Sequence, residues 1–110
     1  MKPSDFFKCL ADETRFNLVM LILHHRELCV CEFTDLLGLS QPKISRHLAQ
    51  LRSYGILSDR RQGKWVHYRI NPELPAWCLE VIQTTFAQNS GQLHTLLNQP
   101  LIKKSTSNDS

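Results

Sequence analysis

The sequence predicts a mainly α-helical winged helix-turn-helix: four helices, a β-hairpin wing and a last helix, acting as a dimer. Three observations carry that prediction. Two helix-start signatures recur in quick succession, around Cys29 and Ser40, with Gly38 between them. An alternating segment folds back around Gly63 shortly afterwards. Residues 40–70 hold Lys43, Arg46, Arg52, Arg60, Arg61, Lys64 and Arg69 against Asp59 alone, a net of +6 in a chain whose total is +3. A basic segment on an otherwise acidic chain is the footprint of a surface that meets phosphate.

With 110 residues the chain is sized for one domain. Its longest apolar run, Leu18 to Leu23, is too short to span a bilayer, and Met1-Lys2-Pro3-Ser4-Asp5 lacks the apolar stretch of a signal peptide. A cytoplasmic location is expected. In that compartment Cys9, Cys29, Cys31 and Cys78 stay reduced, and read as ligands, redox groups or core filler before disulfides.

Phe6, Phe7 and Leu10 predict a short first helix after Pro3 and Ser4. Asp12 suits the N-cap of the second, with Glu13 in its first turn, where the helix dipole favours an anion. Phe16, Val19, Met20 and Leu23 recur at helical spacing, and His24, His25 and Arg26 complement the dipole at its end.

The third helix starts with Cys29 as N-cap. Leu28 and Phe33 form a hydrophobic staple across it, and Glu32 takes the N3 position of a capping box. Gly38 ends it. Ser40 caps the fourth helix, Leu39 and Ile44 staple it, and Pro42 is tolerated in its first turn. Ile44, Leu48 and Leu51 share one face as far as Tyr54, and Gly55 is the stop. Two short helices joined by a tight turn make a helix-turn-helix at about 30–54.

Leu57 to Gln62 and Lys64 to Ile70 read as two strands of a wing at about 57–70. Val66, Tyr68 and Ile70 alternate there with Trp65, His67 and Arg69, and Asn71-Pro72 stops the pattern. Pro75 opens a last helix with Cys78, Ile82 and Phe86 on one face, which Leu93, Leu96 and Leu97 extend after Gly91. The domain is thus expected over 1–98, with dimerisation helices at about 4–11 and 75–97 and a disordered polar tail at 99–110.

The fourth helix carries the expected reading surface. Recognition helices enter the major groove with their N-terminal residues against base edges. Ser40, Gln41, Lys43, Ser45, Arg46, His47 and Gln50 fall in that half. Arginine and lysine suit guanine, glutamine suits adenine, and serine serves base or phosphate. Arg60, Arg61 and Lys64 are placed on the wing to grip phosphates or a minor groove. The partner is double-stranded operator DNA, read by a homodimer at half-sites about 34–36 Å apart.

Cys29-Val30-Cys31 separates the chain from a plain DNA-binding domain. Residues i and i+2 of a regular helix do not face each other. An N-cap residue has non-helical backbone angles, so Cys29 has the freedom to meet Cys31. The helix N-terminus is also expected to favour thiolate there. An ion drawing the two together distorts the first turn of the helix-turn-helix. Cys9 and Cys78 lie on apolar faces and read as small core residues.

Glu27-Leu28-Cys29-Val30-Cys31-Glu32-Phe33 closely resembles the metal-binding box of the ArsR/SmtB family, above all its arsenic-responsive members. Ala11-Asp12-Glu13-Thr14-Arg15, Leu39-Ser40-Gln41-Pro42-Lys43-Ile44-Ser45-Arg46-His47-Leu48 and Gln62-Gly63-Lys64-Trp65-Val66-His67-Tyr68-Arg69 resemble it too, so that the likeness spans roughly residues 5–85. The resemblance implies a dimeric winged-helix repressor of an arsenic- and antimony-resistance operon. Its inducer would be trivalent arsenic or antimony, bound by Cys29 and Cys31. Many relatives carry a further cysteine three residues after the second; here that residue is Thr34. The other common site of the family, a zinc site on the last helix, has no counterpart, because Glu80 and His94 lack its spacings. The alternatives are a repressor sensing soft divalent cadmium, lead or zinc, and a thiol redox or persulfide switch. A cysteine hydrolase using Cys31 with His24 or His25 lacks an orienting third residue, so no catalytic residue and no organic cofactor are expected.

Overall fold

A computed structural model describes residues 1–100; residues 101–110, which hold nearly all of the tail read at 99–110, lie outside the described residues. Helix α1 (Pro3–Ala11) starts on proline, whose missing N–H is one that a first turn leaves unpaired anyway. The Asp12 carboxylate then accepts the Arg15 backbone N–H at 3.0 Å and caps α2 (Glu13–His25).

Helix α2 is the hub. Leu18, Val19, Met20, Leu21 and Ile22 are all buried, five consecutive residues covering every side of the helix. The single apolar stripe expected from Phe16, Val19, Met20 and Leu23 is therefore too narrow, and Phe16 and Leu23 are only partly covered. The physical reason is that helices and a strand pack around α2 from several directions, which makes it a core helix rather than a surface one. It ends at Arg26, whose N–H still closes on the Ile22 carbonyl at 2.7 Å while its positive φ (+77°) turns the chain out of the helix.

A two-residue strand, β1 (Leu28–Cys29), follows at once and leads into α3 (Val30–Leu37). Gly38 turns the chain with φ +66°, and the Ser40 hydroxyl accepts the Lys43 N–H to start α4 (Gln41–Ser53). Gly55, with φ +81°, releases the chain into β2 (Leu57–Gln62). Gln62 pairs with Trp65, so Gly63-Lys64 is a two-residue turn leading into β3 (Trp65–Ile70). Positive φ at Gly63 and not at Lys64 is the pattern of a II′ hairpin.

The expected hairpin is in fact part of a three-stranded antiparallel sheet of order β1-β3-β2. Leu28 pairs with Tyr68 and Cys29 with His67, so the wing is stitched to the entrance of α3. Helix α5 (Ala76–Gln88) starts after Pro75 as expected. Leu93, Leu96 and Leu97 do not extend it: α6 (His94–Leu97) is a separate turn packed against α2, with Leu93 and Leu97 buried in the core of the same chain. That leaves α1 and α5 as the helices with apolar surface to spare. Phe7 is 51% exposed and Trp77 37%, and both rings pack around Phe6.

Candidate functional site

The thiol site is built by the junction of β1 and α3. Cys29 holds extended backbone angles (φ −92°, ψ 166°) and Val30 is the first helical residue. The change of backbone at that point turns the Cys29 side chain toward Cys31, and the two sulfurs lie 2.7 Å apart as free thiols. The freedom expected of an N-cap thus does bring the pair together. The Glu32 carboxylate reaches back to accept the Cys29 N–H at 2.9 Å, as the capping-box spacing predicts.

The expectation of a poised thiolate does not hold at Cys29. Burial, the hydrogen bond with Cys31 and the Glu32 charge together push its pKa up to about 12, although the Glu32 backbone N–H works the other way. Cys29 is 1% exposed, and the loss of solvation outweighs the helix N-terminus.

The pair opens into a cleft of about 420 Å³ that Thr34, Gln41, Lys64 and Trp65 also line. One wall is therefore the first residue of α4, and another is the tip of the wing. A larger cleft of about 500 Å³, beside Arg26 and Arg69, holds no thiol. Among the described residues no group of three or more His, Cys, Asp or Glu side chains is gathered for a metal ion. Two sulfurs this close lie within bonding reach of a single soft atom, so the donor set fits one to the extent of two bonds.

Cys9 and Cys78 are buried on α1 and α5, where burial raises both thiols, and neither lines the cleft. His24 stacks on Phe86 of α5 at 6.0 Å between ring centroids.

On α4, Ser40, Gln41, Lys43 and Arg46 are exposed and Ser45 is half-buried. His47 is not part of that surface. It follows Ile44 by three residues and so falls on the inward face with Leu48 and Leu51, 8% exposed. Its Nδ1 lies 3.3 Å from Arg15 Nη1 and 3.9 Å from the Asp12 carboxylate. Gln50, one turn further, is exposed, but its Oε1 accepts from the same arginine at 3.0 Å. Arg15 also donates from Nε to the Cys9 carbonyl at 2.8 Å. This arginine thereby joins the end of α1 to the back of α4, and composition alone gave no sign of it. The fixed spacing of the Asp12 cap and Arg15 was the available signal.

On the wing, Arg61 and Lys64 are exposed. Arg60 is committed differently: its guanidinium grips Glu27 at 2.6 and 3.3 Å and Gln62 at 2.9 Å. That pair holds the Glu27 carboxyl below its usual pKa, and it fastens β2 beside the turn that precedes β1.

Comparison with known proteins agrees with this architecture. Residues 12–59 match the model of the bacterial regulatory protein, arsR family. The chain is 61% identical over 88 residues to the arsenic resistance transcriptional regulator ArsR2 of Pseudomonas putida, covering 80% of this chain and 76% of that one. It is 46% identical over 108 residues to the arsenical resistance operon repressor of Escherichia coli, covering 98% and 92% respectively. Among solved structures, that of the AntR antimony-specific transcriptional repressor superposes with a TM-score of 0.66 at 26% identity, over 81% of this chain and 78% of that one.

Proposed function

The chain belongs to the arsR family of bacterial regulatory proteins, and from that premise we propose that it represses an arsenic- and antimony-resistance operon, leaving its DNA when trivalent arsenic or antimony takes up the thiols of Cys29 and Cys31. The observation that carries the reading is the 2.7 Å approach of those two sulfurs at the point where β1 becomes α3. One atom bonded to both must draw on the N-cap of the first helix of the helix-turn-helix. Because Cys29 is also paired with His67, the same pull acts on the wing. Sensor and reader share a hinge.

In this reading Gln41, Lys43, Ser45 and Arg46 meet the major groove, with Ser40 at the helix start beside a phosphate. Arg61 and Lys64 hold the backbone from the wing. Arg60 stays with Glu27, and His47 and Gln50 brace α4 from behind. The protein acts by binding rather than by catalysis, in the cytoplasm with its DNA; among the described residues no helix is long and apolar enough to cross a membrane. A second copy of the chain covers the exposed aromatic surface of Phe7 and Trp77 and presents a second recognition helix.

Serine substitution tests the assignment. Cys29→Ser and Cys31→Ser each keep operator affinity close to wild type but lose release by arsenite. A coupling of about 1–3 kcal/mol corresponds to a roughly 5–150-fold fall in DNA affinity on induction. Normal release from either serine variant, followed by fluorescence anisotropy of labelled operator, would remove the thiols from the mechanism.

A further inference from the structure

Trivalent arsenic makes three bonds, and the cleft offers two sulfurs. The residue nearest in sequence to a third, Thr34, has its hydroxyl committed to the Cys31 carbonyl at 2.7 Å. No other cysteine, and no histidine or carboxylate, lines the space above the pair. That space is nevertheless of ligand size, about 420 Å³. Its polar lining is one-sided in charge: the Lys64 ammonium, the Gln41 amide and the positive N-terminal end of α4, with no acidic side chain opposite. The Trp65 indole supplies an apolar wall.

We propose that the cleft takes the third ligand as a separate small thiol bearing a negative charge, its sulfur on arsenic and its anionic group toward Lys64 and Gln41. This rests on the assignment of Cys29 and Cys31 as the sensor. The chemistry is a balanced exchange without oxidant or reductant. Arsenous acid loses three hydroxides as three arsenic–oxygen bonds are replaced by arsenic–sulfur bonds. Each thiol proton leaves with a hydroxide as water. The protein supplies two of the sulfurs and the small thiol the third. The bound species then touches the first residue of the recognition helix and the tip of the wing together.

X-ray absorption on the wild-type protein, free of DNA, reads the sulfur count directly. Two sulfurs are expected with arsenite alone and three once mercaptoacetate is added, and native mass spectrometry should find protein, arsenic and mercaptoacetate in one complex. Replacing mercaptoacetate by cysteamine reverses the ligand charge. From attraction in one case and repulsion in the other across a solvated cleft, Lys64→Gln should weaken arsenite binding about tenfold more with mercaptoacetate than with cysteamine. Comparing wild type and variant within each thiol cancels complexation in solution. Three sulfurs with arsenite alone, two with mercaptoacetate present, or equal effects of Lys64→Gln with both thiols would overturn the proposal. Arsenite binding that survives in the Cys29→Ser, Cys31→Ser double variant would instead overturn the sensor assignment beneath it.

Discussion

Glu32 bears on both the stability of the helix-turn-helix and the shape of the thiol pair, and its removal separates the two. The residue is 7% exposed, and its carboxylate accepts the N–H of Cys29, which is itself 1% exposed. Glu32→Ala leaves that buried N–H without its acceptor. Hydrogen bonds to charged groups contribute about 1.5–3 kcal/mol, and an unpaired buried donor costs about 1–3 kcal/mol. A loss of about 2 kcal/mol is expected, which lowers the melting temperature by about 8–16 °C in a domain of this size. Glu32→Gln keeps an oxygen in place and should cost about half as much, because only the charge is lost. Thermal unfolding followed by circular dichroism, at fixed protein concentration, reads both. At temperatures where Glu32→Ala remains folded, its arsenite affinity should also fall, since the N-cap that holds Cys29 against Cys31 is loosened. A Glu32→Ala protein that melts within about 3 °C of wild type, under ~1 kcal/mol, would refute the account of the junction.

Three further outcomes follow from other contacts. Arg46→Ala should cost about 1–3 kcal/mol of operator affinity and relax base preference, whereas Lys64→Ala should weaken all sequences alike and flatten the salt slope by about one unit; a binding titration across salt and operator variants separates them. Arg15→Met, which keeps the aliphatic stem but loses the bonds to the Cys9 carbonyl, His47 and Gln50, should destabilise the fold by about 1–3 kcal/mol and weaken DNA binding without changing the salt slope. The Asp12 carboxyl is held below its usual pKa, first by the Arg15 backbone N–H and then by the Arg15 and His47 charges. A depressed carboxyl stabilises the fold above the unfolded-state value, about 3.9, and that contribution fades as pH falls through the folded one. Wild type should therefore be more stable than Asp12→Asn at pH 7 and lose the advantage at acid pH; a difference that does not shrink on acidification would contradict it.

Helix ends were the most legible part of the fold. Asp12, Ser40, Gly38, Gly55 and Pro75 each act through local backbone geometry, and each sits where its chemistry predicts. Strand β1 was not legible, because two residues carry no periodicity and their partner on β3 is distant in sequence. At His47 residue type suggests the groove but spacing decides: Ile44, His47, Leu48 and Leu51 share a single helical face, and a histidine held by Arg15 can occupy it. The commitment of Arg60 to Glu27 joins segments that no local pattern relates. At Cys29 position and partner were readable. Its protonation was not, because the dipole argument is local and burial is a property of the whole fold.

The pairing of Cys29 with His67 has a consequence for the protein as a construction. Everything between them, α3, α4 and most of the hairpin, begins and ends at the same spot, while Ile44, Leu48 and Leu51 seat the segment in the common core. The segment is closed at its ends, yet a host needs more than two adjacent strand positions to receive it: it must also supply the apolar face of α2 and the arginine that braces α4. Under the proposed function, operator choice and inducer choice both lie on this segment, while the proposed pairing surface on α1 and α5 lies outside it. A new reading helix can thus be fitted within one closed segment as long as its seat on α2 is kept.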